Sequence, residues 1–595
     1  MVKTVKTLLK SVREYKKPSL ITPCFMVLEA FCECLMPFLM ARLLGESQEA
    51  ANPLKPILFY GGLMILLAAI SLTSGFLAGK FGATASCGFA KNLRHDLFYK
   101  VQKFSFSNVD KFSSSSLVTR LTTDVTNVQQ AYQMCLRIVI RVPLQFIFAI
   151  IMSFIINASL AWIFVVVIPF LAGLLFLIVR IVMPFFKRIF KRYDALNNSV
   201  QENVGGIRVV KAFVREEHET KKFQKAAGEV RNDFIKAEKM LAWNNPIMIF
   251  FVNFAAVLIS YLGACQIIRT CEWRGDVIVG AFLPTDLSAL ITYGVQILSS
   301  CMMFSMVFVM LTMSLESARR IGEVLNEESD IKNPENPITE VQDGSVCFKN
   351  VSFKYAKSAS EYALSDIDLT IQSGETVGIL GGTGSSKSTL IQLISRLYDA
   401  TEGEVLVGGV NVKEYDLDVL RKEVAVVLQK NVLFSGTIKE NLRWGDENAS
   451  DEELIRACQL AQADEFIKAF PDGYDTYIEQ GGTNVSGGQK QRLCIARALL
   501  RKPKILILDD STSAVDTKTD ALIRKAFAEE IPDTTKIIIA QRVASVENAD
   551  KILVLDGGKV LAYGSHQQLL ESSDIYREIY EEQTKKSEKM EGGNE

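Results

Sequence analysis

Four stretches of this chain run too long without a charge to be ordinary core elements: residues 56–79, 142–179, 240–268 and 287–315 contain no Asp, Glu, Lys or Arg. A helix rises about 1.5 Å per residue, so each of these runs is long enough to cross about 30 Å of hydrocarbon. The run 142–179 is too long for one span and carries a polar break at Asn157-Ala158-Ser159, so a helical hairpin is expected, its second arm continuing past Arg180 to Phe186. Residues 19–44 form a weaker span, interrupted by Glu29 and Glu33. Six transmembrane helices result, near 19–44, 56–79, 138–156, 160–186, 244–268 and 280–312.

All of these runs lie in the first half. The whole chain has 595 residues, a formal net charge of -1, 49% apolar side chains and a mean hydropathy of +0.18. That is high for a soluble chain and low for an all-membrane one, and it fits a membrane part joined to a soluble part. The length exceeds one hydrophobic core, and no excess of base points to nucleic acid. The eleven cysteines show neither a disulfide framework nor the spacing of a zinc site; Cys32 and Cys34 form a lone C-x-C. A small secreted protein, a DNA-binding protein and a single-domain enzyme are excluded.

Charge then sets the orientation. The opening MVKTVKTLLKSVREYKK carries six bases and one acid. The apolar stretch after it is too long for a signal peptide and ends in no small-x-small cleavage site, so an interfacial amphipathic helix is expected. Residues 45–54 carry acids and no base, whereas 80–136 and 187–239 are rich in Lys and Arg. The positive-inside rule puts the first outside and the other two in the cytoplasm, with both termini inside. Outside connections are expected near 45–54, 157–159 and 269–276. The two cytoplasmic stretches have apolar positions three and four apart and little Pro or Gly. They are expected to extend the membrane helices as antiparallel pairs, turning near Ser105–Ser116 and near Gly205-Gly206; two small subdomains are the alternative.

A domain of six membrane helices is therefore expected over 1–325, and a linker, marked by Asn333-Pro334-Glu335-Asn336-Pro337, over 326–340. Over 341–582 strands alternate with helices, as an α/β domain requires, and 583–595 is expected to be a charged, disordered tail. GGTGSSKST (Gly381–Thr389) lies between the apolar strand Thr376–Leu380 and the helical run LIQLISRLY. That is the context of a phosphate-binding loop: backbone N–H groups and a helix N-terminus for anionic oxygens, Lys387 as a point charge and Ser388 for Mg²⁺. The pattern G-x-x-x-x-G-K-[ST] calls for glycine where this chain has Ser386. ILILD delivers Asp509 as a carboxylate for the Mg²⁺ shell, and VSGGQKQR (Val485–Arg492) lies between the two.

With these strings in this order the sequence resembles the ATP-binding cassette (ABC) transporters, and the six preceding spans resemble their exporter-type half-transporters. The likeness covers nearly the whole chain. It implies an α-helical membrane domain followed by an α/β P-loop ATP-binding cassette, with ATP and Mg²⁺ as ligands. Gly381, Gly382, Thr383, Gly384, Ser385, Ser386, Lys387, Ser388 and Thr389 are then expected at the phosphates. Tyr355 resembles the aromatic that stacks on adenine, and a core role is its alternative. Gln429 resembles the Q-loop glutamine, which with Ser388 and Asp509 serves the metal. Ser486, Gly487, Gly488 and Gln489 resemble the signature that caps the γ-phosphate of an opposite subunit, and Asp516 the D-loop aspartate.

Two catalytic positions depart from the family. Asp510 stands where a glutamate orients the attacking water, and Gln541 where a switch histidine precedes an arginine. A carboxylate one methylene short sits about 1 Å back, a misplacement that can cost roughly 10²-fold. Gln541 can hydrogen-bond a γ-phosphate but can neither take up a proton nor carry a positive charge. The chain's own Walker site is therefore expected to bind ATP and hydrolyse it poorly. With an intact signature, this implies a heterodimer whose partner half-transporter brings a competent Walker half, similar to the degenerate halves of heterodimeric bacterial multidrug exporters; a slow homodimer is the alternative. Hydrolysis would move the membrane helices through coupling segments near Asn108–Leu117 and Gln201–Phe213.

The expected activity is ATP-driven export of a small amphipathic or drug-like molecule across the cytoplasmic membrane, with a slow homodimeric exporter of a lipid, drug or peptide as the alternative. An ATP-gated channel or regulatory subunit is the competing class, and import is not excluded by sequence. Glu29 and Glu33, four apart on one helix face, either attract cationic substrate or pair with Arg137 and Arg141; the pairing is favoured.

Overall fold

The structure, a computed structural model, describes residues 2–49, 52–270, 272–274, 277–279, 282–355, 359–510 and 515–591. Two compact units result: Met1–Gln102 with Ser114–Glu327, and Lys103–Ser113 with Glu328–Glu595.

In the first unit, six helices among the described residues are long and apolar enough to cross a membrane. They are Lys16–Glu49, Leu54–Gln102, Val125–Ile156, Ala158–Gly205, Asn244–Thr270 and Pro284–Asn326. The 49 residues of Leu54–Gln102 span roughly 70 Å, more than twice the hydrocarbon thickness, so most of its second half lies beyond it. After Lys55 the next charge is Lys80, close to where that half begins. Their apolar faces are open: Leu58, Phe59, Ile65, Leu72 and Phe76 on one helix, Phe170 and Phe176 on another, are all exposed. In lipid this is the favourable surface, because a helix satisfies its own backbone there.

The expected hairpin turns on one residue. Asn157 leaves helical conformation, and its side-chain oxygen accepts hydrogen bonds from the N–H groups of Ser159 and Leu160 (3.1 and 3.2 Å), starting the next helix. The turn in the second cytoplasmic stretch comes at Gly206, followed by the short helix Ile207–Ala212 and then Glu216–Leu241. Arg192 pairs with the buried Asp233 at 3.0 Å, tying Ala158–Gly205 to Glu216–Leu241. Near the N-terminus, helix Val2–Leu9 runs into a 3₁₀ segment, Lys10–Tyr15, anchored by Ser11 and Arg13 to Asp96 (2.6 and 2.5 Å). Gly88 allows this approach: a Cβ there would stand 2.3 Å from the Tyr15 ring.

Three features escaped the sequence reading. The last outside connection contains a hairpin, Glu272–Arg274 against Val277–Val279. The fully buried Asp124 accepts from Arg320 and Ser317 (2.5 and 2.9 Å), joining the start of the third long helix to the end of the sixth. Helix Asp574–Glu591 also continues through Gln583 into the segment expected as a tail. Residues 280–281 of the expected sixth span and 592–595 of the expected tail lie outside the described residues.

Glu29 and Glu33 share one ion-pair partner among the described residues. Arg141 reaches Glu29 at 3.2 Å and Glu33 at 2.7 Å, joining the first and third long helices.

In the second unit a six-stranded sheet has the order Lys559–Gly564, Lys551–Asp556, Thr376–Leu380, Thr535–Ile539, Ile505–Asp509, Val424–Val427; all neighbours are parallel except the first pair. A four-stranded antiparallel sheet is built from Leu364–Ile371, Val346–Phe353, Glu402–Val407 and Val410–Asn411. The central strands are mostly apolar because both faces are covered: every residue of Ile505–Asp509 and Thr535–Ile539 is buried, Thr535, Lys536 and Asp509 included. Their register sets Asp509 beside Ile539 and Ile539 beside Ile379, so three adjacent strands end level. The residues that follow them come out at one edge, where open α/β sheets hold ligands.

Removing Arg141 leaves two acids without their base. Arg141→Ala is expected to lower the stability of the first unit by roughly 1–3 kcal/mol, the range reflecting that Arg141 and Glu33 stay about a third exposed. Arg141→Met combined with Glu29→Gln and Glu33→Gln is expected to recover most of it. Thermal unfolding in lipid reads both, and an equal loss in the triple variant would show that the ion pairs are not the cause.

Candidate functional site

The site is assembled from the loops that leave the level strand ends. After Leu380 the chain turns sharply at Gly381 (φ +158), where a Cβ would stand 2.2 Å from the Leu555 carbonyl oxygen. The loop wraps round Lys387, whose Nζ donates to the carbonyls of Gly381 and Gly382 (2.8 Å each) and to Ser385 Oγ (3.2 Å). Gly382, Thr383 and Gly384 are exposed, Ser385 and Thr389 buried. Burial holds the Lys387 ammonium below its ordinary pKa, opposed by the charges of Asp509 and Asp510. Helix Lys387–Ile394 follows directly, so the loop and the first turn of the helix offer adjacent N–H groups.

Ser386 occupies a left-handed conformation, φ +68 and ψ +25. The family pattern's glycine is thus replaced where the backbone favours glycine, and the serine is held there by the loop.

Ser388 Oγ donates to Asp509 Oδ1 at 3.1 Å, placing a hydroxyl and a carboxylate side by side. Burial raises the Asp509 pKa, against the Ser388 hydrogen bond and the Lys387 charge. This hard-oxygen donor pair fits Mg²⁺. The next residue, Asp510, also has positive φ (+48) and an N–H bonded to the Ile539 carbonyl at 3.2 Å. Its Oδ2 accepts from Gln541 Nε2 at 2.8 Å and from Gln429 Nε2 at 3.5 Å. The structure therefore brings together Lys387, Ser388, Asp509, Asp510, Gln429 and Gln541.

Tyr355 is placed differently. Its ring is 52% exposed and edge-on to Phe353 and Tyr398, with centroids 4.9 and 5.3 Å away. Its hydroxyl shares a 2.8 Å hydrogen bond with Thr389, on the helix after the phosphate loop. The residue is thus neither in the core nor remote from the loop. Ser486 and Gln489 close a capping box at the start of helix Gly487–Leu499, with Ser486 and Gly487 exposed and Gly488 and Gln489 half-buried. Asp516 caps helix Thr517–Glu530, accepting from the Thr519 N–H and hydroxyl (2.9 and 2.7 Å), which lowers its pKa. Residues 511–514 before it lie outside the described residues.

Sequence reasoning missed residues whose partners are remote in the chain. Gln491 Nε2 donates to the Asp510 carbonyl at 3.3 Å, linking the signature helix to the acid. The Tyr398 hydroxyl donates to Asp110 at 2.6 Å, and its ring meets Phe106 edge-on at 6.0 Å. The short helix Phe106–Phe112 thereby packs into the second unit, in the segment where a coupling element was expected. Spacing signals neither pair.

Ser386→Gly is expected to raise the thermal midpoint of the second unit. A left-handed L-residue costs about 1–2 kcal/mol, and the extra freedom of glycine in the unfolded chain returns about 0.5–1 kcal/mol of that. Calorimetry reads the net gain, and a lowered midpoint would contradict the strain.

Comparison with known proteins gives these features a family. The profile of the ABC transporter transmembrane region matches residues 20–283, and that of the ABC transporter domain matches residues 364–513. The uncharacterized ABC transporter ATP-binding protein YfiB of Bacillus subtilis (strain 168) is 37% identical over 575 residues, 97% of this chain and 98% of its own. The uncharacterized ABC transporter ATP-binding protein Rv1273c of Mycobacterium tuberculosis (strain ATCC 25618 / H37Rv) is 32% identical over 573 residues, 96% of each chain. The solved structure of a bacterial Atm1-family ABC exporter with ATP bound shares the fold, with a TM-score of 0.80 at 23% identity, over 95% of this chain and 98% of that one. Six helices long enough to span a membrane, a glycine-rich loop closed around Lys387 and two matching domains in one chain thus have one meaning: the chain belongs to the ABC transporter family, as a multi-pass membrane protein with a cytoplasmic ATP-binding domain.

Proposed function

We propose that this chain is the ATP-binding but hydrolytically impaired half of a heterodimeric exporter. The observation that carries the reading is the 2.8 Å hydrogen bond from Gln541 Nε2 to Asp510 Oδ2. The position that orients water holds a short carboxylate, and the position that faces the γ-phosphate holds a neutral amide already engaged by that carboxylate. Lys387 and the loop N–H groups bind the phosphates, and Tyr355 supports the base. Ser388, Asp509 and Gln429 would hold Mg²⁺, which when bound neutralises charge on the β- and γ-oxygens. Asp510 holds the attacking water and accepts its proton less effectively than a glutamate, while Gln541 donates a hydrogen bond and can take up no proton.

Ser486, Gly487, Gly488 and Gln489 carry the other half of the proposal. An exposed helix N-terminus with an intact signature suits a partner subunit's γ-phosphate, and a partner with glutamate and histidine would hydrolyse there. The D-loop residue Asp516 would face that same interface. The cargo is proposed to be small and amphipathic, moved outward. Arg141 already engages both Glu29 and Glu33, which supports their pairing role over a hook for cations.

Mg²⁺-dependent ATPase activity of the purified chain alone in lipid is expected near background. Asp510→Glu with Gln541→His is expected to raise it by roughly 10²-fold. Brisk hydrolysis by the unaltered chain would instead mean a working homodimer.

A further inference from the structure

The segment that carries Gln541 is gripped from a part of the chain with no assigned role. Gln583, on the C-terminal helix Asp574–Glu591, meets it with both ends of its amide. Gln583 Oε1 accepts from the Val543 N–H at 2.8 Å, and Gln583 Nε2 donates to the Gln541 carbonyl at 3.1 Å. The side chain thus pairs with the backbone of the switch segment as a neighbouring strand would. Val543 begins a 3₁₀ turn, Val543–Ser545, whose other side is held by Arg524, donating to the carbonyls of Ala544 and Ser545 (3.1 and 3.2 Å). Backbone groups in this turn find side-chain partners because the strand Thr535–Ile539 has ended and no ladder remains for them.

The helix that delivers Gln583 is firmly seated. Tyr576 is fully buried, its hydroxyl 2.6 Å from His566 Nδ1, and Ile579 and Tyr580 pack against the larger core of the second unit. Gln583 lies one to two turns beyond these anchors. Gln541 is consequently held at both ends: its side chain by Asp510 and its carbonyl by Gln583.

We propose that Gln583 is a positioning residue that fixes the backbone of Gln541, so that the C-terminal helix sets how the nucleotide site senses a γ-phosphate. This rests on the reading of Gln541 as the residue that faces that phosphate. A clamp on this backbone acts where a nucleoside triphosphate differs from a diphosphate. It leaves the base and the inner phosphates, held by Tyr355 and Lys387, untouched.

The test measures binding of Mg·AMP-PNP and Mg·ADP to the full chain in lipid. Two hydrogen bonds of ordinary strength predict that Gln583→Ala weakens Mg·AMP-PNP roughly tenfold and leaves Mg·ADP unchanged. Gln583→Glu keeps an acceptor for Val543 but sets a carboxylate oxygen against the Gln541 carbonyl, and is expected to give at least as large a loss of the same kind. The thermal midpoint of each variant guards against misfolding. Gln541→Ala supplies the reference. If it loses discrimination while both Gln583 variants keep it, the clamp is overturned and the reading of Gln541 stands. Equal weakening of both nucleotides by the Gln583 variants also overturns the clamp, as a general structural effect. If Gln541→Ala itself discriminates normally, the reading of Gln541 fails and the clamp fails with it.

Discussion

Hydrocarbon offers no partner for a peptide group, and the first half of this molecule follows from that. Each crossing segment must close its own hydrogen bonds, so each is a single long helix, and the chain can turn only where polar atoms are available. Asn157 illustrates the rule: its side chain supplies the acceptor that two orphan N–H groups would otherwise lack. Pro23, Pro37, Pro143, Pro169 and Pro184 lie inside membrane helices without ending them. The charges that do sit at depth come with partners, as Arg141 does for Glu29 and Glu33.

The same economy of backbone governs the nucleotide site in a different way. The central strands are buried on both faces and end level, so the loops after Leu380, Asp509 and Ile539 share one edge. Chemistry there depends on a few residues held in unusual conformations. Ser386 and Asp510 both have positive φ without being glycine, and both stand where the chain departs from its family's pattern. The loop at Ser386 tolerates the strain because its neighbours are fixed by Lys387 and by the buried Ser385.

Much of this was legible in the residues. Uncharged runs located the spans, and GGTGSSKST does run from a strand into a helix as its context predicts, because both signals are local and dense. The departures at Asp510 and Gln541 were equally plain, but their mutual hydrogen bond was not, since 31 residues separate them. Asp124, Tyr398 and Gln583 stayed hidden for the same reason. Each bonds to a residue tens or hundreds of positions away, and no period or motif encodes such a meeting. The segment after Gln583 is a different case: its Glu and Lys residues read as solvated chain or as helix, and the apolar anchors Tyr576 and Ile579 lie before it.

The way the last helix is seated has a practical side. A fusion joined to the end of Asp574–Glu591 pulls on a rod that carries Gln583, whose amide rests on the backbone beside Gln541. Under the clamp proposed above, affinity tags, fluorescent domains or surface tethers attached there would load the backbone of Gln541, 42 residues from Gln583 in sequence. Labels intended to be silent belong elsewhere, and those intended to report on nucleotide state belong on this helix.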